Sequence, residues 1–387
     1  MDTFAALCLT IMQTINLLHY INHIILVIFV LGFFIQLFYY WYFYSQLAFY
    51  KPKPGAVAAK PVSVVIAAHN EAYNLEKNLP SILEQDYPDF EVIVVNDGSH
   101  DETEEVLSLL VQKYPKLKVV NVKQSVVFFR SKKFPLSVGI KSAKNEILLL
   151  TDADCRPVSR QWINQMQSAY HNNTEIVLGY GPYEKLSGLL NLMIRYDTFH
   201  TAVQYLSFAL SGRPYMGVGR NLSYKKTLFY EHKGFINHYH INSGDDDLFI
   251  NAAATSRNTG IQINPECHVF SDPKTSFRSW FTQKRRHFTT GKFYKASNKY
   301  LLGGQALSAV AYYFAFAWLL LTLFHWPVVL ALHGIRLASR MLLFAPGAKK
   351  LSERKLYLIS PLLDPVFTFL NPLLVLSGMV FKSKKWK

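Results

Sequence analysis

The sequence predicts an α/β domain with a mostly parallel sheet, flanked by membrane-spanning helices at both ends. Three observations carry that prediction. Short, almost wholly apolar runs alternate with helical stretches through the middle of the chain, the pattern of strands covered on both faces. Three of four such runs end in polar or acidic clusters, and parallel sheets bind ligands at the carboxyl ends of their strands. The apolar surplus, 50% hydrophobic and 15% aromatic residues in 387, gathers in the first 50 residues and the last 90.

Residues 21–44 carry no formal charge. They are long enough to cross a bilayer, with Tyr39, Tyr40, Trp41 and Tyr42 as an interfacial aromatic belt. A cleaved signal peptide fits poorly, because the N-terminus offers Asp2 and no basic residue, and no small-residue cleavage site follows. Residues 1–50 are therefore expected to be a retained anchor, and 51–60, "KPKPGAVAAK", a linker.

The α/β domain is expected over 61–300. Its first strand, Val62 to Ala68, turns at His69-Asn70-Glu71 into a helix. The second, Phe90 to Val95, ends in Asn96-Asp97-Gly98-Ser99. There Ser99 and Glu102 fit a capping box for a helix with Val106, Leu109 and Leu110 turned inward. "KLKVVNV" is a third strand and a helix is expected near 132–144. The fourth strand, Ile147 to Leu150, runs into Asp152-Ala153-Asp154.

Past about 180 the pattern loosens, and residues 186–210 predict a helix packed on the domain or lying at the membrane surface. Residues 301–387 form a C-terminal membrane region with spans at about 305–324 and 326–345. A last run, 356–381, is broken by Pro361, Asp364, Pro365 and Pro372 and has lysines on both flanks. It reads as a re-entrant or interfacial piece, or else a third span of this region.

The net charge of +15 is not one stripe. Lys51 and Lys53, Lys284 to Arg286, Lys349 to Lys355 and Lys382 to Lys387 all flank apolar segments, as cytoplasmic edges of spans do. No aromatic-plus-basic signature points to nucleic acid, and none is expected as a partner. Cys8, Cys155 and Cys267 give neither zinc spacing nor a disulfide framework.

Chemistry concentrates in the acids. Residues two apart on an extended chain share a face, so Asp152 and Asp154 would repel unless a cation sat between them. A hard divalent ion such as Mg²⁺ or Mn²⁺ fits, although a lone D-x-D is more often a solvated turn. Asp97 could meet a base or ribose, or simply close an Asx turn. "GDDDLF" at 244–249 puts three carboxylates before a helix, more than N-capping needs. "QKRRH" at 283–287 is either a positive membrane flank or part of a site.

Together "VSVVIAAHNEAYNL", "VIVVNDGSHDET", "KKFPLSVGI", "LLLTDADC", "GVGRNLSYKK", "GDDDLFI" and "QKRRH" resemble, in order, the membrane-anchored family 2 glycosyltransferases of GT-A fold. The resemblance covers roughly 61–290. It implies that Ala68, His69 and Glu71 line a nucleotide pocket and that Asp97 meets its base. Lys132 matches the lysine of the family's K-x-x-A-L pattern, with Pro135 replacing the alanine, so the helix there is expected to start later. Asp152 and Asp154 match the D-x-D pair, Asp154 being the principal metal ligand for Mg²⁺ or Mn²⁺. Asp246 matches the catalytic base, with Asp245 before it and Asp247 as a rival register. Gln283 and Arg286 match Q-x-x-R-W, where diphosphate and acceptor sugar are held. His287 replaces the tryptophan of that element; an imidazole stacks less well on a sugar and can titrate, which favours single addition over polymerisation.

The implied activity is inverting transfer of a hexose from a nucleotide-diphosphate sugar, a UDP-sugar foremost. The implied acceptor is a lipid or lipid-linked hydroxyl at the cytoplasmic face of the cell (inner) membrane. A processive polysaccharide synthase and a non-catalytic nucleotide-sugar-binding subunit are the alternatives.

Overall fold

Val62–Ala68 is buried at every position, which a strand achieves only when both faces of its sheet are covered. It is β1, at the heart of a seven-stranded sheet in a computed structural model that describes residues 2–52, 59–122, 131–171, 173–241 and 243–380. Most of the expected linker at 51–60 and the lysines at 382–387 lie outside the described residues. Before β1 run α1 (Asp2–Phe38), a π-helical turn (Tyr39–Tyr44) and α2 (Ser45–Ala48). After it come α3 (Ala72–Leu83), β2 (Phe90–Asp97), α4 (Thr103–Lys113), β3 (Leu117–Val122), α5 (Lys133–Ser142) and β4 (Ile147–Leu150). The chain continues through β5 (Cys155–Pro157), α6 (Trp162–Ser168), β6 (Ile176–Leu178), α7 (Leu189–Leu210), β7 (Leu222–Lys225) and α8 (Lys226–Glu231). Then follow α9 (Asp247–Ala253), β8 (Thr259–Ile261), β9 (Val269–Ser271) and α10 (Phe277–Phe288). The helices α11 (Ala296–Leu321), α12 (Trp326–Lys350) and α13 (Leu356–Val380) close the chain.

The sheet order is β3-β2-β1-β4-β7-β6-β8. β1 to β4 are mutually parallel, and β7 runs antiparallel to both neighbours. The register places Ala68 beside Asn96 and Val65 beside Leu150. β4 therefore stops short of the edge where β1 and β2 end, and the chain turns away at Thr151. Asp152 and Asp154 lie in that turn and not on extended backbone as the sequence suggests.

The capping box also differs. α4 begins at Thr103, whose N–H donates to Asp101 Oδ1 at 3.2 Å, and Glu102 makes no side-chain cap. Ser99 instead accepts from the Asn70 N–H at 2.9 Å, tying the loop after β2 to the loop after β1. This start aims Leu107 inward and leaves Leu109 exposed. At α5 the helix begins at Lys133 without waiting for Pro135, because a proline in the first turn removes only an N–H that has no helical partner.

Among the described residues, four helices are long and apolar enough to cross a membrane, over 12–48, 296–321, 326–350 and 356–378. Phe29 and Phe33 of α1 pack on Tyr312, Ala315 and Leu319 of α11. The aromatic belt is split: Trp41 and Tyr42 are exposed, whereas Tyr39, Tyr40 and Tyr44 are buried. Tyr39 donates to the Leu301 carbonyl at 2.6 Å, and Phe43 stacks on Phe208 of α7 with ring centroids 4.2 Å apart. The π-helical turn thus bolts the N-terminal helix onto the domain. Lys284, read from sequence as a membrane flank, is ion-paired with Asp197 of α7 at 2.7 Å.

α13 is one unbroken helix despite Pro361, Pro365 and Pro372. Leu356 at its start joins the domain's main core, Phe367 packs with Trp280 of α10, and a Cβ on Gly378 would lie 3.7 Å from the Arg285 carbonyl. Both ends of α13 therefore stay beside the domain.

Candidate active site

Three loops converge where the parallel strands end. The turn after β4 brings Asp152, Asp154 and the Cys155 sulfur within 4.8 Å of one another. Burial and the neighbouring Asp152 charge raise the Asp154 carboxyl above its ordinary value, against the opposing pull of Arg220. Burial, then the two aspartates, push the Cys155 thiol well up, so it stays protonated and donates to Asp154 Oδ1 at 3.4 Å. What remains for a cation is a pair of mutually repelling carboxylates, an oxygen donor set that fits a hard divalent ion.

Lys132 joins this turn to the next loop. Its ammonium pairs with Asp152 and lies 3.2 Å from Asp245. Burial alone would lower its pKa; Asp152, Asp245 and Asp246 more than reverse that and keep it charged. Lys133, its neighbour, is buried and donates to the carbonyls of His238, Ile241 and Ser243 at 2.6, 2.8 and 2.7 Å. Three donors on three carbonyls fix the loop that delivers the acids, and burial pushes this ammonium down to about 8. Lys133→Met is expected to free that loop and to lower kcat more than it raises KM, which steady-state kinetics will read.

The three acids of "GDDD" have separate surroundings. Asp245 is held below the ordinary carboxylate range: burial opposes this, but the Lys132 charge wins. Asp246 caps α9, its Oδ1 accepting from the Asp247 N–H at 2.7 Å and its Oδ2 from the Gly219 N–H at 2.8 Å. A Cβ on residue 219 would come within 3.3 Å of that oxygen, so glycine lets the "GVGR" loop close on the acid. Burial, then Asp245 and Asp247, push Asp246 up to about 7. Asp247 is buried, and its Oδ2 accepts from Thr290 Oγ1 and, at 2.7 Å, from Tyr294 Oη.

Thr290 and Tyr294 follow α10, and through them the end of that helix docks on the acids. Gln283 of α10 donates to Tyr183 Oη at 3.2 Å, and the Arg220 guanidinium stacks 4.2 Å from the centroid of the Tyr183 ring. Arg220 is also a cation facing Asp154, so α10 is linked to the Asp152/Asp154 pair as well as to the three acids. Arg286 and His287 occupy the last turn of α10. His287 is open to solvent, yet the crowding walls, followed by Arg286, Lys284 and Arg220, push its imidazole down to about 3.

The remaining sequence-predicted residues form the other side of the strand ends. Ala68 is buried at the last position of β1. His69 Nδ1 lies 2.7 Å from the Asp97 carbonyl, linking the loops after β1 and β2. Glu71 is buried and accepts from Asn74 Nδ2 at 2.5 Å. Burial raises the half-buried Asp97 carboxyl, with His69 opposing. Sequence reasoning passed over Lys133, Tyr183, Arg220, Thr290 and Tyr294. Of these, Lys133 lay inside "KKFPLSVGI" and Arg220 inside "GVGRNLSYKK"; the other three fell in no motif.

Residues 63–231 match the Glycosyl transferase family 2 model. Glycosyltransferase AglE of Haloferax volcanii is 32% identical over 106 residues, 27% of this chain and 33% of that protein. Poly-beta-1,6-N-acetyl-D-glucosamine synthase of Staphylococcus epidermidis is 33% identical over 93 residues, 24% of this chain and 21% of that protein. The chain thus matches a third or less of the length of these relatives. Mannosyltransferase PcManGT from Pyrobaculum calidifontis, solved in complex with GDP-Man and Mn²⁺, shares the architecture at TM-score 0.58 and 20% identity, over 89% of this chain and 98% of that one. Motif order, family model and architecture agree: residues 63–231 carry a Glycosyl transferase family 2 domain, and the α/β body has the GT-A type fold.

Proposed function

We propose that this protein transfers one sugar from a nucleotide-diphosphate sugar to the hydroxyl of a membrane lipid or lipid-linked glycan, inverting the anomeric carbon. The observation that carries the reading is Lys132. Its one ammonium pairs with Asp152 of the candidate metal edge and Asp245 of the candidate base loop. On this reading, that ammonium would link the donor and acceptor chemistry.

Asp154 and Asp152 would hold a divalent ion, which when bound supplies positive charge to the diphosphate. Lys132, Arg286 and Gln283 would hold and neutralise the leaving group, in a site whose charges are fixed beforehand. Asp246 takes the proton from the acceptor hydroxyl as its oxygen attacks the anomeric carbon. The carbon–oxygen bond to the diphosphate breaks in the same displacement, and one displacement inverts the centre. Ala68, His69, Glu71 and Asp97 would hold the nucleoside.

Membrane proximity supports the acceptor class, since Tyr294, which holds Asp247, stands two residues before α11 begins. Lys292, Lys295, Lys299, Lys349, Lys350 and Lys355 lie on the domain side of the helices. The turn Thr322 to His325 at the other end has no Lys or Arg. That asymmetry favours a cytoplasmic domain.

The test incubates purified protein and membrane lipids with labelled UDP- and GDP-sugars, with product masses read. A lipid carrying one added sugar is expected; a long polymer, or no lipid product, defeats the reading. Asp154→Ala is expected to lose metal-dependent nucleotide binding, and binding that survives both the substitution and chelator would remove the metal from the scheme.

A further inference from the structure

At the end of the helical bundle remote from the acidic cluster, three imidazoles meet. His19 and His23 of α1 are four residues apart, which puts both on one face of the helix. Their Nε2 atoms are 3.0 Å apart. His325, in the turn between α11 and α12, brings a third ring to 6.4 Å from that of His23. All three are exposed. Phe324 stands edge-on among them, with centroids 5.6, 5.0 and 4.5 Å from His19, His23 and His325.

The turn is shaped to deliver His325. Leu323 and His325 have φ of 54° and 46°, left-handed backbone that L side chains rarely adopt. Such conformations persist only where the surroundings impose them, and they cluster where a side chain must be aimed. Beside the pair, Trp318 Nε1 donates to Asn22 Oδ1 at 2.9 Å and pins α11 to α1 between the two histidines.

We propose that His19, His23 and His325 form a binding site for one divalent transition-metal ion of the zinc type. Two nitrogens at the observed separation are bridged by two metal–nitrogen bonds of about 2.0–2.1 Å, and the i, i+4 histidine spacing is the helical way to supply them. The hydrogen bond between the pair contains one Nε2–H. Moving that proton to Nδ1 of the same ring leaves both Nε2 lone pairs facing the ion, with no net proton release. His325 supplies the third ligand by a side-chain rotation, and water completes the tetrahedron. An all-imidazole set selects a softer ion than the carboxylates of Asp152 and Asp154 do, so the two sites take different metals. The site lies roughly 30 Å along α1 from Tyr44, at a helical rise of about 1.5 Å per residue. Its effect is to clip α1 to the α11–α12 turn, independently of the sugar-transfer reading.

The test uses the full chain in detergent, purified without a histidine tag, stripped with chelator and titrated with Zn²⁺ under excess Mg²⁺. One tight equivalent is expected, with a rise in Tm that chelator reverses. His19→Ala/His23→Ala is expected to lose both, and His325→Ala to bind at least tenfold more weakly, with nucleotide binding at the acidic site unchanged. His23→Gln, which keeps a hydrogen-bonding group opposite His19, stands in if the double variant does not fold. Zn²⁺ binding by the His19/His23 variant, or by His23→Gln in its place, that equals wild type overturns the site. Unchanged affinity in His325→Ala overturns the three-ligand form.

Discussion

Asp246→Asn is expected to cut sugar transfer by about 10²–10⁴-fold, the range for loss of a general base, while nucleotide-sugar binding stays near wild type. The three adjacent aspartates are distinguished by their surroundings. Asp245 is neutralised by Lys132. Asp247 is buried and tethered by Thr290 and Tyr294. Asp246 spends one lone pair per oxygen on backbone N–H groups and keeps the others for an incoming hydroxyl. Its carboxyl, pushed up to about 7, is matched to accepting a proton near neutral pH. Only the carboxylate can act as base, so wild-type transfer should climb as pH rises through about 7. Asp247→Asn removes one of the negative charges that raise Asp246, and the climb should move to lower pH. Initial rates from pH 5 to 9 for the three proteins decide the matter. Full transfer by Asp246→Asn together with a dead Asp247→Asn would place the base one residue later.

The strands of the parallel half were legible because each is a run of apolar residues too short for a helix and ends in a polar turn. Val62–Ala68 and Ile147–Leu150 fall where the pattern puts them. The acids were legible because carboxylates packed this densely cost free energy without a cation or proton to offset them. What sequence could not reach depends on approaches between distant segments. Lys133 holds carbonyls more than a hundred positions away, and Arg220 meets Asp154 only once Tyr183 gives it a face to stack on. Nothing local marks Tyr294 as the partner of Asp247. Capping failed for a nearer reason: Ser99 had a better donor in the loop after β1 than in its own helix.

The largest effect on stability is expected from Asp364→Asn. Arg336 and Arg340 interrupt an otherwise apolar helix, and the structure answers both with one carboxylate. Arg336 Nη2 and Arg340 Nη1 lie 3.1 and 2.8 Å from Asp364, and Tyr313 Oη donates to it at 2.6 Å. Arg340 also donates to Tyr40 and Tyr196 Oη at 3.1 and 2.9 Å, and Arg336 to Tyr313 Oη at 2.9 Å. One buried cluster thereby joins the π-helical turn, α7, α11, α12 and α13. Asparagine keeps the shape and removes the charge, leaving two guanidiniums away from water with no counter-ion. Breaking a buried pair this way costs about 3–5 kcal/mol, whereas replacing all its members by apolar residues is often neutral. Thermal unfolding in nanodiscs should therefore show a large drop in Tm for Asp364→Asn and a smaller one for Arg336→Leu/Arg340→Leu/Asp364→Leu. Because α13 packs on α10 through Phe367 and Trp280, the single variant should also disorder the helix that presents Gln283 and Arg286. An Asp364→Asn protein that melts like wild type would mean that water reaches the cluster and the arginines need no partner.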